Sequence, residues 1–249
     1  MDADTHKAGL LVTAREGKDD MVWYLGYGSN MNSAVLTKRR GVHPVEARAV
    51  VVPGYQLTFD MAGLPYWEPG FGTIEPLGKD GHNQAGIQAG AALHCVAFRI
   101  TRKELEHIVN TEGGSGNPDF GYQLIEVACT SYDGAAMAGQ TLVDTQRIVS
   151  GMRPSQRYRE ILIKGATEHG LSPEYIERLA EVKAYVAQAR GQKAAKYIIA
   201  VLFAPLMLPA IVAAASALAL GTQTPRAVAV YNEWIVRLVW LVHDYVFAP

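Results

Sequence analysis

The sequence predicts an α+β fold in which a mixed β-sheet or small barrel carries flanking helices and is followed by a C-terminal apolar helical hairpin. Three observations support this prediction. Predicted strands outnumber helices up to Ile148, capped helices follow, and the composition changes at about Gln192 and is almost wholly apolar over 197–220. We therefore divide the 249 residues into an N-terminal segment, a folded domain large enough for a substantial core, and a helical extension, bounded at 1–20, 21–190 and 191–249.

The first predicted strand, 22–25, is a run of four apolar residues, and Gly28 follows it closely. Gly28 allows a tight turn and close approach of a ligand, and Ser29 or Asn30 is a good helix N-cap. Several backbone N–H groups would then point to one spot beside a short helix at 31–39, and such a spot binds anions. An ordinary strand-to-helix turn with a capping side chain would use the same residues.

Further strands are predicted from short β-rich runs bounded by turn residues. The runs at 46–52 and 55–61 flank Pro53-Gly54, a turn dipeptide, and so predict a hairpin. A short apolar piece in the following loop-rich region predicts one brief strand, and longer buried strands come after it. These later strands are predicted at 71–74, 91–100, 122–132 and 140–148.

Three helices are predicted from their caps. The first is opened by Thr101 and Glu104, which have the spacing of a capping box, and it ends at the Gly113-Gly114 pair. The other two follow from caps and breakers at Ser155, Gly170 and Ser172-Pro173.

Charge and cysteine content exclude several classes of protein. Lys plus Arg number 23 against 24 for Asp plus Glu, so a net charge of −1 leaves no electrostatic footprint for nucleic acid. Cys95 and Cys129 fall in predicted strands and make neither a disulfide framework nor a zinc site, so we expect no metal. Residues 1–20 lack the apolar run of a signal peptide, which predicts a cytoplasmic protein that is not secreted.

The C-terminal region is strongly apolar. Residues 197–225 contain no Asp, Glu, Lys or Arg, and a helix of this length can cross a bilayer core of about 30 Å. A second apolar helix with one narrow polar stripe is predicted at 226–247. The prolines and many alanines equally suit a hairpin buried in a soluble domain or between subunits. We therefore expect either membrane contact or self-association through residues 197–247.

Glu112 is the candidate for acid–base chemistry. It follows Leu105 by seven residues in the predicted helix and so shares its core-facing stripe. Burial and the helix C-terminus would both raise the pKa of its carboxyl group towards neutrality, where a general acid or base works best. If the helix frays at Thr111, Glu112 is merely exposed.

Tyr27-Gly28-Ser29-Asn30 behind an apolar strand resembles the signature of the γ-glutamylcyclotransferase family. Later segments resemble the same family in the same order, so the resemblance extends over about 23–181. These segments are 48–60, Glu112-Gly113 with 122–127, and 154–158 followed by Gly165-Ala166 and Gly170-Leu171.

The resemblance implies a fold and a set of site residues. It implies the family's mixed β-barrel, with Glu112 as the catalytic residue and the turn after the first strand holding a γ-glutamyl group through backbone amides. Tyr122 and Tyr158 match tyrosines that help to form the family's pocket, although ordinary packing also places aromatic residues at such positions. The substrate-binding residues implied are Tyr27, Gly28, Ser29, Asn30, Met31, Tyr122 and Tyr158.

The implied reaction follows from the shape of the substrate. A γ-glutamyl amide carries its own nucleophile, the α-amine, so the protein needs only to fold it towards the γ-carbonyl. Glu112 would take a proton from the α-ammonium and return one to the departing amine, which releases 5-oxoproline. We expect a small-molecule γ-glutamyl substrate and neither a metal nor a nucleotide cofactor.

One segment departs from the family pattern. Residues 113–121 form a longer and more glycine-rich loop than common members carry, which permits a bulkier substrate. With the apolar extension, the chain resembles fungal cyclotransferases associated with epipolythiodioxopiperazine toxins of the gliotoxin kind, where glutathione attached to a ring supplies the γ-glutamyl group. The alternatives are a γ-glutamylamine cyclotransferase and a non-catalytic, membrane-tethered binding module.

Overall fold

A computed structural model describes residues 20–77, 91–112, 122–144, 151–187, 190–220, 222 and 225–247. Residues 1–19, the predicted glycine-rich loop at 113–121 and the end of the strand predicted at 140–148 lie outside the described residues. The described elements are β1 (Met21–Gly26), β2 (Glu46–Val52), β3 (Tyr55–Leu64), β4 (Glu68–Pro76), β5 (Leu93–Thr101), α1 (Arg102–Thr111), β6 (Tyr122–Ser131), β7 (Ala136–Asp144), α2 (Gln156–Glu168), α3 (Pro173–Glu181), α4 (Arg190–Ala219) and α5 (Arg226–Val242).

Five of these strands form a closed barrel in the order β1-β5-β2-β6-β7. β1 pairs antiparallel with β5 along its whole length, and the barrel closes where β1 runs parallel to β7. Apolar side chains from several strands fill the core, among them the fully buried Leu25, Val50 and Phe98. The predicted α+β class with a small barrel and flanking helices is confirmed.

The hairpin predicted for 46–52 and 55–61 is wrong in its pairing, although both strands exist. β2 pairs with β5 and β6 in the barrel, whereas β3 pairs with β4 in a separate two-stranded sheet. β4 is also longer than the brief strand predicted at 71–74. The turn at Pro53-Gly54 marks where the chain leaves the barrel. It carries no information about strand partners, because these depend on how the barrel closes.

The capping signals located the helices correctly. Thr101 caps α1 in a capping box with Glu104, whose backbone N–H donates to Thr101 Oγ1 at 3.2 Å. Ser155 and Ser172 cap α2 and α3 through their side chains. Gly170 follows α2 with a φ of 64°, a left-handed conformation that favours glycine. These local predictions are confirmed because each depends on residues only a few positions apart.

The short helix predicted at 31–39 is present over 33–39, where most of it is π-helical, and a 3₁₀ turn precedes it. The chain makes a 3₁₀ turn at Ser29–Met31 and a separate π-helical turn at Val35–Arg39. Gly28 occupies the capping position of the first turn, and no side chain in the described part of the chain caps it. The conformation of this segment therefore depends on packing against other elements.

α2 packs directly on the turn at Ser29–Met31, and Gly165 makes this contact possible. A Cβ atom at Gly165 would lie 2.7 Å from the backbone nitrogen of Asn32 and 2.7 Å from the carbonyl carbon of Met31. Backbone atoms cannot move aside as the end of a flexible side chain can. Only glycine therefore fits at this position without displacing the turn.

Gly165→Ala is expected to lower the free energy of unfolding by about 1–3 kcal/mol, because the added methyl group forces α2 away from the turn. Urea denaturation followed by circular dichroism measures this change. Gly191→Ala in α4 is the matched control, since a Cβ atom there meets nothing within 4 Å. An unchanged unfolding free energy for Gly165→Ala would contradict the close packing.

The C-terminal extension is a helical hairpin that folds back on the domain. α4 and α5 pack on each other and on the tip of the β3–β4 hairpin, where Tyr66, Phe203 and Val239 belong to a second apolar core. The indole N–H of Trp240 donates to the buried carbonyl of Gly63 at 3.0 Å. The extension is thus attached to the domain through side chains as well as through the chain itself.

By length and composition alone, Arg190–Ala217 of α4 qualifies as a membrane-spanning helix. Only 17% of its apolar window is buried, whereas the core helix of a soluble protein is mostly buried. Several apolar side chains of the extension are exposed: Tyr197, Val201, Leu202, Leu208 and Ile211 on α4, Trp234 on α5, and Tyr245 on the π-helical turn His243–Phe247 that follows α5.

Candidate active site

Several parts of the fold contribute to one cavity of about 190 Å³. They are the end of β1 with the turn that follows it, the π-helical turn Val35–Arg39 with Arg40, strands β3, β4 and β7, the C-terminus of α1, the start of β6 and the first two turns of α2. Seven of the residues implied by the family resemblance line this cavity: Tyr27, Gly28, Ser29, Asn30, Glu112, Tyr122 and Tyr158.

Glu112 lies directly after the last residue of α1 and faces the turn that follows β1. Its backbone N–H still donates to the carbonyl of Ile108 at 2.9 Å, so the helix does not fray before it. Asn30 Nδ2 donates to Glu112 Oε1 at 3.0 Å, although the two residues are 82 positions apart. The side chain of Glu112 is 19% exposed. The carboxylate is therefore a partly buried group inside the cavity and not a surface charge.

Arg40 is the main residue of the cavity that the sequence did not indicate. Its guanidinium group forms an ion pair with Glu112 Oε1 and donates to the carbonyl of Thr111 at 3.1 Å. The Arg40 side chain is 12% exposed, so solvent screens this pair only weakly. The guanidinium group thus places a positive charge directly against the carboxylate of Glu112.

Asn30 links the turn to both β1 and Glu112. Its Nδ2 group also donates to the hydroxyl of Tyr24 at 2.9 Å, and the side chain is almost fully buried. Its Oδ1 atom is buried without a hydrogen-bond partner among the described residues. One amide acceptor in a residue that contacts Glu112 is therefore buried without a partner among the described residues.

Met31 differs from the other implied residues. It is fully buried, and its backbone N–H donates to the carbonyl of Gly28 at 3.0 Å within the turn. The backbone N–H of Asn32 likewise donates to the carbonyl of Ser29. Two backbone N–H groups of this segment are thus hydrogen-bonded within the turn, and the Met31 N–H is not directed to the cavity.

Gly28 is required because the Tyr158 hydroxyl lies close to it, and not because its backbone conformation is unusual. Its φ is −105°, which other residues also adopt. A Cβ atom at Gly28, or at Gly72 in β4, would lie 3.0 Å from the hydroxyl oxygen of Tyr158. The Gly72 N–H donates to that hydroxyl at 3.1 Å. The two glycines therefore make room for the Tyr158 hydroxyl at the cavity wall.

Burial raises the pKa values of the Tyr27, Tyr122 and Tyr158 hydroxyl groups above the usual value for tyrosine. The Coulombic effect of Glu112 raises them further. The three hydroxyls consequently stay neutral at physiological pH. Tyr27 donates to the carbonyl of Leu142 at 2.6 Å, so its role in the described structure is to hold the cavity wall.

The described residues contain no group of three or more His, Cys, Asp or Glu side chains that could hold a metal ion. The polar groups in the cavity are one carboxylate, arginine guanidinium groups, one amide and several hydroxyls. This set suits proton transfer and binding of a small charged ligand.

Comparison with known proteins identifies relatives of this chain. The family model described as AIG2-like family matches residues 92–179. The chain is 33% identical over 173 residues to the gamma-glutamyl cyclotransferase aclK of Aspergillus oryzae, covering 65% of this chain and 61% of aclK. It is 33% identical over 158 residues to the gamma-glutamyl cyclotransferase gliK of Claviceps purpurea, covering 62% of this chain and 67% of gliK. The chain thus spans about three fifths of the length of aclK.

Among solved structures, one described as a gamma-glutamyl cyclotransferase superimposes with a TM-score of 0.53 at 19% identity, over 72% of this chain and 99% of that one. At this identity the likeness shows the fold alone. The sequence relatives show that the chain belongs to the γ-glutamyl cyclotransferase family.

Proposed function

We propose that the protein is a γ-glutamylcyclotransferase, which cyclises the γ-glutamyl group of a γ-glutamyl amide and releases 5-oxoproline and a free amine. The observation that carries this proposal is the hydrogen bond between Asn30 and Glu112, which joins the turn after β1 to a carboxylate in one cavity. Family membership supports the same conclusion.

The reaction needs one group that accepts and returns a proton. The α-nitrogen of the substrate attacks the γ-carbonyl carbon, so a new C–N bond forms and the amide C–N bond breaks. Glu112 takes the proton that the α-ammonium loses and delivers a proton to the departing amine. Arg40 holds the carboxyl group of Glu112 in place in the cavity through their ion pair. The folded geometry of the bound substrate supplies much of the rate enhancement.

The size of the cavity limits how much of the substrate lies inside. Its volume of about 190 Å³ is below the range of about 300–1,000 Å³ typical of pockets that enclose a whole small molecule. The γ-glutamyl end therefore occupies the cavity, and the leaving part extends through its mouth. This arrangement supports a substrate with a large leaving part, such as a glutathione conjugate from the biosynthesis of a fungal epipolythiodioxopiperazine toxin.

A small substrate panel tests the proposed activity. Purified protein is incubated with a γ-glutamyl dipeptide, a γ-glutamylamine and a glutathione adduct of a diketopiperazine, and 5-oxoproline and the released amine are measured. We expect 5-oxoproline from the panel and the highest kcat/KM for the adduct. Absence of 5-oxoproline from every compound would reject the activity, and equal or lower turnover of the adduct would reject the assignment to toxin biosynthesis.

We further propose that α4 and α5 associate with a membrane while the barrel remains in the cytoplasm. The exposed apolar side chains of these helices support membrane contact. Two buried free cysteines, Cys95 and Cys129, suit the reducing cytoplasm.

Liposome flotation tests the membrane contact. The protein is expected to float with vesicles, and Val201→Glu on α4 is expected to reduce the floating fraction, because a charge on the apolar face is costly to bring into lipid. Val45→Glu on the barrel domain is the matched control, since Val45 is 71% exposed and Val201 is 74% exposed. Equal flotation of the two variants would contradict the proposal, and concentration-dependent dimers without flotation would indicate self-association.

A further inference from the structure

Two arginines on two different helical elements line the cavity. Arg39 ends the π-helical turn Val35–Arg39, and Arg157 lies in the first turn of α2. Each has an apolar residue four positions away on the same element, Val35 and Ile161 respectively, and all four residues line the cavity that contains Glu112. Two helical turns therefore each contribute one cation and one apolar side chain.

The charges of these arginines are only partly balanced. Arg39 is exposed, and no carboxylate among the described residues pairs with it. Arg157 is 60% exposed and binds Glu68 Oε1 through its Nε atom at 2.7 Å. The positive charge of Arg40 is balanced by Glu112. The exposed part of the cavity lining therefore carries a net positive charge.

We infer that Arg39 and Arg157 select substrates whose leaving part carries an anionic group such as a carboxylate. This inference rests on the proposed function, because the γ-glutamyl end must lie at Glu112 and the leaving part must then pass the exposed arginines. A carboxylate there gains charge-assisted hydrogen bonds from guanidinium groups. Val35 and Ile161 contact the aliphatic part of the leaving group. A leaving amine with a positive charge is repelled at the same place.

The inference is tested with two substrates that differ by one charge, γ-glutamylalanine and its C-terminal amide. The wild-type protein is expected to have a kcat/KM about tenfold higher for the free acid, the size of effect that one or two partly exposed charge-assisted contacts supply. The ratio should fall as ionic strength rises, because salt screens exposed charges. Arg39→Gln and Arg157→Gln should each reduce the ratio to about threefold.

Lys38→Gln is the matched control for Arg39→Gln. Lys38 is an exposed cation on the same turn as Arg39, but it is not part of the cavity lining. It is expected to leave the acid-to-amide ratio unchanged. Arg157→Gln keeps the test valid if Arg39→Gln does not fold.

The outcomes separate this inference from the proposed function. Equal kcat/KM values for the acid and the amide in the wild-type protein, or the same reduction of their ratio in Lys38→Gln as in Arg39→Gln, would overturn the role of the two arginines while the cyclotransferase activity stands. No 5-oxoproline from either compound or from the wider panel would overturn the activity itself.

Discussion

Glu112→Gln is expected to reduce 5-oxoproline release by about 10²–10⁴-fold, because an amide cannot take the proton of the α-ammonium. The fold should remain, since a glutamine oxygen can still accept the hydrogen bonds that Asn30 and Arg40 donate to Glu112 Oε1. Single-turnover measurement of 5-oxoproline, together with thermal unfolding of the variant, distinguishes loss of chemistry from loss of structure.

Glu106→Gln is the matched control, because Glu106 lies in the same helix, is exposed and does not line the cavity. It is expected to retain wild-type turnover. If folded Glu112→Gln kept turnover within tenfold of wild type, Glu112 could not be the proton carrier, and another group of the cavity would have to fill that role.

Arg40→Gln is expected to lower the free energy of unfolding by about 3–5 kcal/mol, the usual cost of removing one partner from a buried ion pair. The loss arises because Glu112 keeps its charge in a mostly buried place while the opposite charge is gone. Urea denaturation measures the change. Arg40→Lys should recover part of the stability, since it restores the charge without the hydrogen-bonding geometry of a guanidinium group.

Arg39→Gln is the control for this effect, because it makes the same substitution at the neighbouring residue, which is exposed and unpaired among the described residues. Its free energy of unfolding should stay within about 0.5 kcal/mol of wild type. A similar small loss in Arg40→Gln would show that the ion pair with Glu112 contributes little to stability.

Sequence patterns predicted those parts of the fold that depend on neighbouring residues. The caps at Thr101, Ser155 and Ser172 were located because the donor and acceptor of each cap are three residues apart. The partners of β2 and β3 were not located, because they are set by closure of the barrel and by the long β4. The helix predicted at 31–39 begins only at residue 33, because the preceding turn at Ser29–Met31 packs against Gly165, which lies far along the chain.

The same distinction applies to the candidate site. Glu112 was identified from its helical phase and from the family resemblance. Its ion pair with Arg40 was not identified, because the two residues are 72 positions apart and Arg40 lies in a short turn without periodicity. Tyr24 was interpreted only as an apolar strand residue, although its hydroxyl accepts a hydrogen bond from Asn30 at the cavity.

The β3–β4 hairpin both lines the cavity and contacts the C-terminal helices. Phe71 and Gly72 form part of the cavity wall, while Gly63 and Tyr66 near the tip hold α4 and α5. Removing α4 and α5 would therefore expose the apolar side chains at the tip of the hairpin, while its other end would still line the cavity. We therefore expect loss of α4 and α5 to disturb the cavity wall through the β3–β4 hairpin.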